Sequence, residues 1–141
     1  MKNWLRISFV ALLSVALLYY LEPIMANANE KYTEGIYTYS IFDQQVTIID
    51  CDDSVAGAIT IPSALGGYPV TAIGEKAFFE CEQLTSVTFG NSLISIGDYA
   101  FWNCVNLTNI YASDSICYVA SGAFFNTAWY NKQPDGLLYV G

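Results

Sequence analysis

Val70-Thr71-Ala72-Ile73-Gly74-Glu75-Lys76-Ala77-Phe78-Phe79-Glu80-Cys81-Glu82-Gln83-Leu84-Thr85-Ser86-Val87-Thr88-Phe89 is the stretch that decides the fold. From 23 positions further on, the chain reads Leu93-Ile94-Ser95-Ile96-Gly97-Asp98-Tyr99-Ala100-Phe101-Trp102-Asn103-Cys104-Val105-Asn106-Leu107-Thr108-Asn109-Ile110-Tyr111. Ile, Gly, Ala, Phe, Cys, Leu and Thr return in register. In a third, fading copy Ile116, Val119, Ala123, Phe124 and Phe125 take the places of Leu93, Ile96, Ala100, Phe101 and Trp102. There Ala120 replaces the glycine, Thr127 the cysteine, and Tyr130 the leucine. A unit this short cannot bury its own apolar face, so the copies must stack and share one core.

Each coil can be read from its residues. Leu84 turns inward before a strand that points Val87 and Phe89 inward and Thr88 outward. Asp98-Tyr99-Ala100-Phe101-Trp102 lacks β-branched residues and reads as a turn of helix or 3-10 on the return side. The expected fold is therefore α/β: a short right-handed solenoid of about three 23-residue coils, with short parallel strands and helical or 3-10 returns. Its core is expected to hold Ile73, Phe78, Cys81, Leu84, Val87, Ile96, Phe101, Cys104, Leu107, Ile110, Val119 and Phe124. The small Ala77, Ala100 and Ala123 let the return lie close to that core. Gly74 and Gly97 fit a bend where a side chain would clash. For the second aromatics Phe79, Trp102 and Phe125, core and convex rim both remain open.

Outward from the repeats, Ile59-Thr60-Ile61-Pro62 reads as a lead-in strand, and Gly66-Gly67-Tyr68-Pro69 as an inserted turn. Residues 35–49 alternate in part and read as a β-hairpin turning near Phe42-Asp43-Gln44-Gln45, a cap for the open end of the solenoid. Asp50-Cys51-Asp52-Asp53 lacks the glycine and distal Glu of a calcium loop, so a solvated turn is expected. Cys81 and Cys104 share one repeat position. Neighbouring coils permit a disulfide there, but their parallel side chains favour free buried thiols. Cys51 and Cys117 have no repeat partner. No C-x-x-C spacing occurs, so neither a zinc site nor a cofactor is expected. Asn106-Leu107-Thr108 is a sequon at a strand start, short enough to arise by chance.

The N-terminus reads as an export signal occupying residues 1–28. Lys2 and Arg6 precede an apolar run from Ile7 to Leu21, Pro23 ends it, and Ala26-Asn27-Ala28 supplies the cleavage pattern. The alternative, an uncleaved anchor, needs a longer apolar run. The remaining 29–141 form one expected domain: cap and lead-in strand over 29–62, repeats over 70–128, and a terminal insertion over 129–141. Removing the signal leaves Lys31, Lys76 and Lys132 against twelve acids. Such a surface repels phosphate backbones and anionic lipid, which argues against nucleic-acid partners and membrane docking. The sequence has no histidine, which excludes Ser-His-Asp and Cys-His catalysis. A carboxylate-pair glycosidase is the remote enzymatic alternative, but no two acids sit at matching repeat positions on one face.

Ile73-Gly74-x-x-Ala77-Phe78-x-x-Cys81-x-x-Leu84-x-x-Val87 and its copy resemble the BspA-like leucine-rich-repeat family, also called leucine-rich repeat family 5. The Ile59 segment, Gly67-Tyr68-Pro69-Val70-Thr71, and Trp129-Tyr130 with Gln133-Pro134-Asp135-Gly136-Leu137-Leu138-Tyr139-Val140 extend the likeness over about residues 36–141. The resemblance implies a non-catalytic secreted or cell-surface protein that binds a host or extracellular protein, or a surface glycan. Thr85, Ser86, Thr88, Thr108, Asn109 and Tyr111 are the candidate binding face, weighed against a merely solvated sheet face. No membrane insertion is expected after signal cleavage, and an exposed terminal edge is expected to pair with another chain. The family usually has more coils and often an anchor. This chain stops at Val140-Gly141 within an expected strand, which reads as a fragment or truncated form, or as a spacer of a larger surface protein.

Overall fold

The computed structural model describes residues 30–133. The expected signal at 1–28 and the final eight residues of the expected insertion lie outside them. Ten strands follow one another: β1 (Tyr32–Glu34), β2 (Tyr37–Phe42), β3 (Gln45–Cys51), β4 (Gly57–Thr60), β5 (Ala64–Leu65), β6 (Tyr68–Ile73), β7 (Leu84–Thr88), β8 (Ser95–Ile96), β9 (Asn109–Tyr111) and β10 (Tyr118–Val119). They form two walls of a spiral. One runs β1-β2-β3-β6-β8-β10, with β5 paired to β6, and the other runs β4-β7-β9. From β6 onward the ladders between coils are parallel: Ile73 lies beside Ile96 and Ile96 beside Val119, while Val87 lies beside Ile110.

The stacking follows from side chains that must hide from water. Phe78 and Phe101 are fully buried and lie ring over ring, 4.7 Å apart and 7° from parallel. Phe124 continues the column at 5.2 Å and 10°. Ile73, Cys81, Leu84, Val87, Ile96, Cys104 and Leu107 are buried as expected. Ile110 and Val119 are only half-buried, because among the described residues no further coil lies over β9 or β10. Gly97 sits where backbones meet. A Cβ there would stand 2.8 Å from the backbone of Gly74 and Glu75, so the coil spacing depends on its missing side chain.

The return segments correct the expectation of helix. Residues 75–80 and 98–103 are chains of turns. The sole helical element among the described residues is a 3-10 turn at Tyr130–Lys132, so the described fold is a β-solenoid rather than α/β. The reason is where the backbone N–H groups go. Those of Lys76, Phe78 and Glu80 donate to the carbonyls of Asp98, Ala100 and Trp102 in the next coil, at 3.0, 2.8 and 2.9 Å. An α-helix needs those donors within its own segment. Lys76 and Glu80 also take φ of 58° and 61°, and Tyr99 and Asn103 take 55° and 62°, left-handed values that interrupt a right-handed helix.

The hairpin is β2 and β3, joined by Asp43 and Gln44, both with positive φ, as a two-residue turn requires. Its β3 pairs in parallel with β6, Ile48 beside Ile73, so the hairpin extends one wall of the spiral. Tyr37 sets its ring edge-on to Phe78 at 6.4 Å and donates its hydroxyl to the Thr60 carbonyl at 2.9 Å. Burial, with a smaller contribution from Cys51, pushes the Tyr37 hydroxyl pKa up to about 12. The inserted turn before β6 is Gly66-Gly67, with φ of 57° and 83°. At Gly66 a Cβ would meet the Tyr39 hydroxyl at 2.7 Å. No helix among the described residues is long and apolar enough to cross a membrane.

Candidate functional site

The candidate strand face lies on the β4-β7-β9 wall. Ladder pairing puts Ala58, Ser86 and Asn109 in one row, and Thr60, Thr88 and Tyr111 in the next. Thr108 meets Thr85 across the same wall: its amide and its hydroxyl both donate to the Thr85 carbonyl, at 2.9 and 3.2 Å. The Asn109 amide donates to the Thr108 hydroxyl at 3.1 Å. All six residues therefore share one wall. They are not equally open: Thr85, Asn109 and Tyr111 are exposed, whereas Ser86, Thr88 and Thr108 are half-buried. Tyr111, 58% exposed, is the prominent aromatic of the face. The rows offer hydroxyl and amide groups at strand spacing beside one aromatic ring, which suits hydrogen bonding and stacking with a polar ligand.

Around the wall, the second aromatics fall on the rim. Phe79 and Trp102 stack at 4.8 Å and 14°, and Phe125 is more than half exposed. Lys76 stands 5.8 Å above the Phe79 ring. Tyr99, Trp102, Ser121, Gly122, Phe125 and Tyr130 line a shallow depression of about 640 Å³. The motif carried the signal for this rim, since each copy places a second aromatic after Ala-Phe. The described part of the terminal insertion packs there too. Trp129 meets Phe124 edge-on at 5.6 Å, and Tyr130 lies 5.5 Å from Phe125.

All four cysteines are free: Cys51, Cys81 and Cys104 are buried and Cys117 is exposed. Cys51, unpaired in the repeat reading, lies with its sulfur 3.8 Å from that of Cys81. Their separation of 30 residues, not 23, hid this contact from the repeat. Cys104 donates to the Phe78 carbonyl at 3.0 Å. The sulfurs perturb one another. The neighbouring sulfurs of Cys104 and then Cys51 lower the central Cys81 thiol, while contact with Cys81 and then burial push Cys51 and Cys104 up. Thr127 takes the next place and is fully satisfied, donating to Phe124 and accepting from the Tyr130 amide.

In the acidic turn, Asp52 accepts from the Ser54 amide and hydroxyl, which lowers its carboxyl pKa. The sequon residue Asn106 is exposed and donates to the Glu82 carbonyl at 2.8 Å. No group of three His, Cys, Asp or Glu side chains among the described residues is placed to hold a metal.

Comparison with known proteins adds the following. The family described as BspA type Leucine rich repeat region, in six copies, matches residues 57–132. A leucine-rich repeat protein of T. pallidum superposes with a TM-score of 0.62 at 25% identity, over 69% of this chain and 46% of that one. One from Bacteroides capillosus gives 0.58 at 40% identity, over 63% and 70%. A leucine rich cell surface protein of Faecalibacterium prausnitzii gives 0.60 at 29% identity, over 71% and 29%. The chain thus spans less than half the length of the T. pallidum protein. No curated protein matches the chain.

Proposed function

Because the chain belongs to the BspA-type leucine-rich-repeat family, we propose that it is a non-catalytic binding module of the cell surface or its surroundings, recognising an extracellular protein or glycan through the β4-β7-β9 wall. The observation that carries this reading is the pair of rows Ser86–Asn109 and Thr88–Tyr111, which present hydroxyl, amide and phenol groups on one wall. Support for the location comes from the F. prausnitzii relative, described as a cell surface protein. The absence of histidine from the sequence supports a non-catalytic role.

A glycan array and a pull-down with matrix proteins test the proposal. The triple variant Thr88→Ala, Asn109→Ala, Tyr111→Ala is expected to lose at least tenfold in affinity for the ligand so found, with its melting temperature nearly unchanged. Undiminished binding would remove the site assignment. A second reading, a spacer within a larger surface protein, is favoured by the 46% and 29% of the T. pallidum and F. prausnitzii chains that this one spans. It predicts no ligand in either screen.

A further inference from the structure

We propose that Cys51 and Cys81 are a dithiol pair that closes to a disulfide in the folded protein, clamping the hairpin onto the first coil. Their sulfurs are in contact at 3.8 Å, and the two residues come from different parts of the fold: the end of β3 and the first return segment. Closing to the disulfide length of about 2.05 Å requires an approach of roughly 1.8 Å, within the reach of side-chain rotation and a small shift of a strand end. The competing partner, Cys104, has more to give up. It is fully enclosed and would surrender its 3.0 Å bond to the Phe78 carbonyl. Cys51 would give up only a 3.4 Å contact with the Asp52 carbonyl.

The pair lies beside an open depression that Cys51 lines with Gly35, Ile36, Asp50, Asp52 and Asp53, which gives a small reagent an approach. The oxidant is a low-molecular-weight aliphatic disulfide. Cys81, the thiol that its neighbours lower, attacks one of the reagent's sulfurs as the thiolate, forming a mixed disulfide and releasing one thiol. The Cys51 thiol then gives up its proton and displaces the other half, which leaves as the second thiol. Two protein thiols lose two electrons and two protons, and one reagent disulfide becomes two thiols. The three aspartates give the mouth of the depression negative charge, so a cationic disulfide is favoured over an anionic one. This chemistry belongs to the folded chain and does not depend on what the β4-β7-β9 wall binds.

The test uses the full chain carrying Cys117→Ser, reduced and then treated with cystamine or with glutathione disulfide. Cleavage at acidic residues separates the cysteines, since Asp50 and Asp52 flank Cys51 and Glu80 and Glu82 flank Cys81. Mass spectrometry without reduction should find Cys51 joined to Cys81. The melting temperature should rise by roughly 10 °C and fall back with dithiothreitol. Cystamine should react at least several-fold faster than glutathione disulfide, and the difference should shrink in high salt. Cys51→Ser should abolish the melting shift and Cys104→Ser should retain it. Free Cys51 and Cys81 after complete reaction, or Cys81 joined to Cys104, would overturn the proposal; the peptide map of the chain with native Cys51, Cys81 and Cys104 gives this answer even if a variant fails to fold.

Discussion

Two aromatic columns run along this spiral with nearly the same geometry and different surroundings. The inner one stacks Phe78, Phe101 and Phe124 at 4.7 and 5.2 Å, with Phe78 and Phe101 fully buried. The outer one stacks Phe79 on Trp102 at 4.8 Å, with Phe79 37% exposed. Both columns arise because each coil repeats the one before it at fixed spacing. Ring stacking is common to the two, so what separates them is water removed from the inner one. Burial, not stacking, should set how much each contributes to stability.

Substitutions can break that comparison. Phe101→Ala, in the middle of the inner column, should cost about 4 kcal/mol and leave the protein marginal or unfolded, as read by urea denaturation. Gly97→Ala acts on both columns at once, since its new methyl meets the backbone of Gly74 and Glu75. It should cost about 2 kcal/mol through the coil spacing, with no aromatic contact removed. Phe79→Ala should be the mildest, about 1 kcal/mol, since only part of the ring leaves an apolar setting. If Phe79→Ala proved as damaging as Phe101→Ala, burial would not be what distinguishes the columns.

The sequence made the inner column legible because stacking demands the same residue at the same offset, and Phe78, Phe101 and Phe124 meet that demand. Thr85, Asn109 and Tyr111 were legible as outward by the same logic, from their places beside Leu84 and Ile110. The character of the returns was not. Asp98-Tyr99-Ala100-Phe101-Trp102 has residues a helix accepts, and nothing local reports that alternate N–H groups bond to the next coil. Lys76 and Tyr99 hold left-handed φ without being Gly or Asn, so the usual signal of that conformation was missing. The Cys51–Cys81 contact was hidden for a third reason: Cys51 stands outside the repeat, and periodicity is silent on what docks against it.

The central claim is that the coils are held by bonds from one to the next, so none stands alone. Amide hydrogen exchange followed by NMR tests it most directly at Phe78 and Phe101, whose N–H groups donate to Ala100 and Ala123 at 2.8 and 2.7 Å. Both should exchange slowly and with the same free energy of opening, equal to that of global unfolding. Fast exchange at either amide, or two different opening energies, would mean that the coils open independently and would contradict this account.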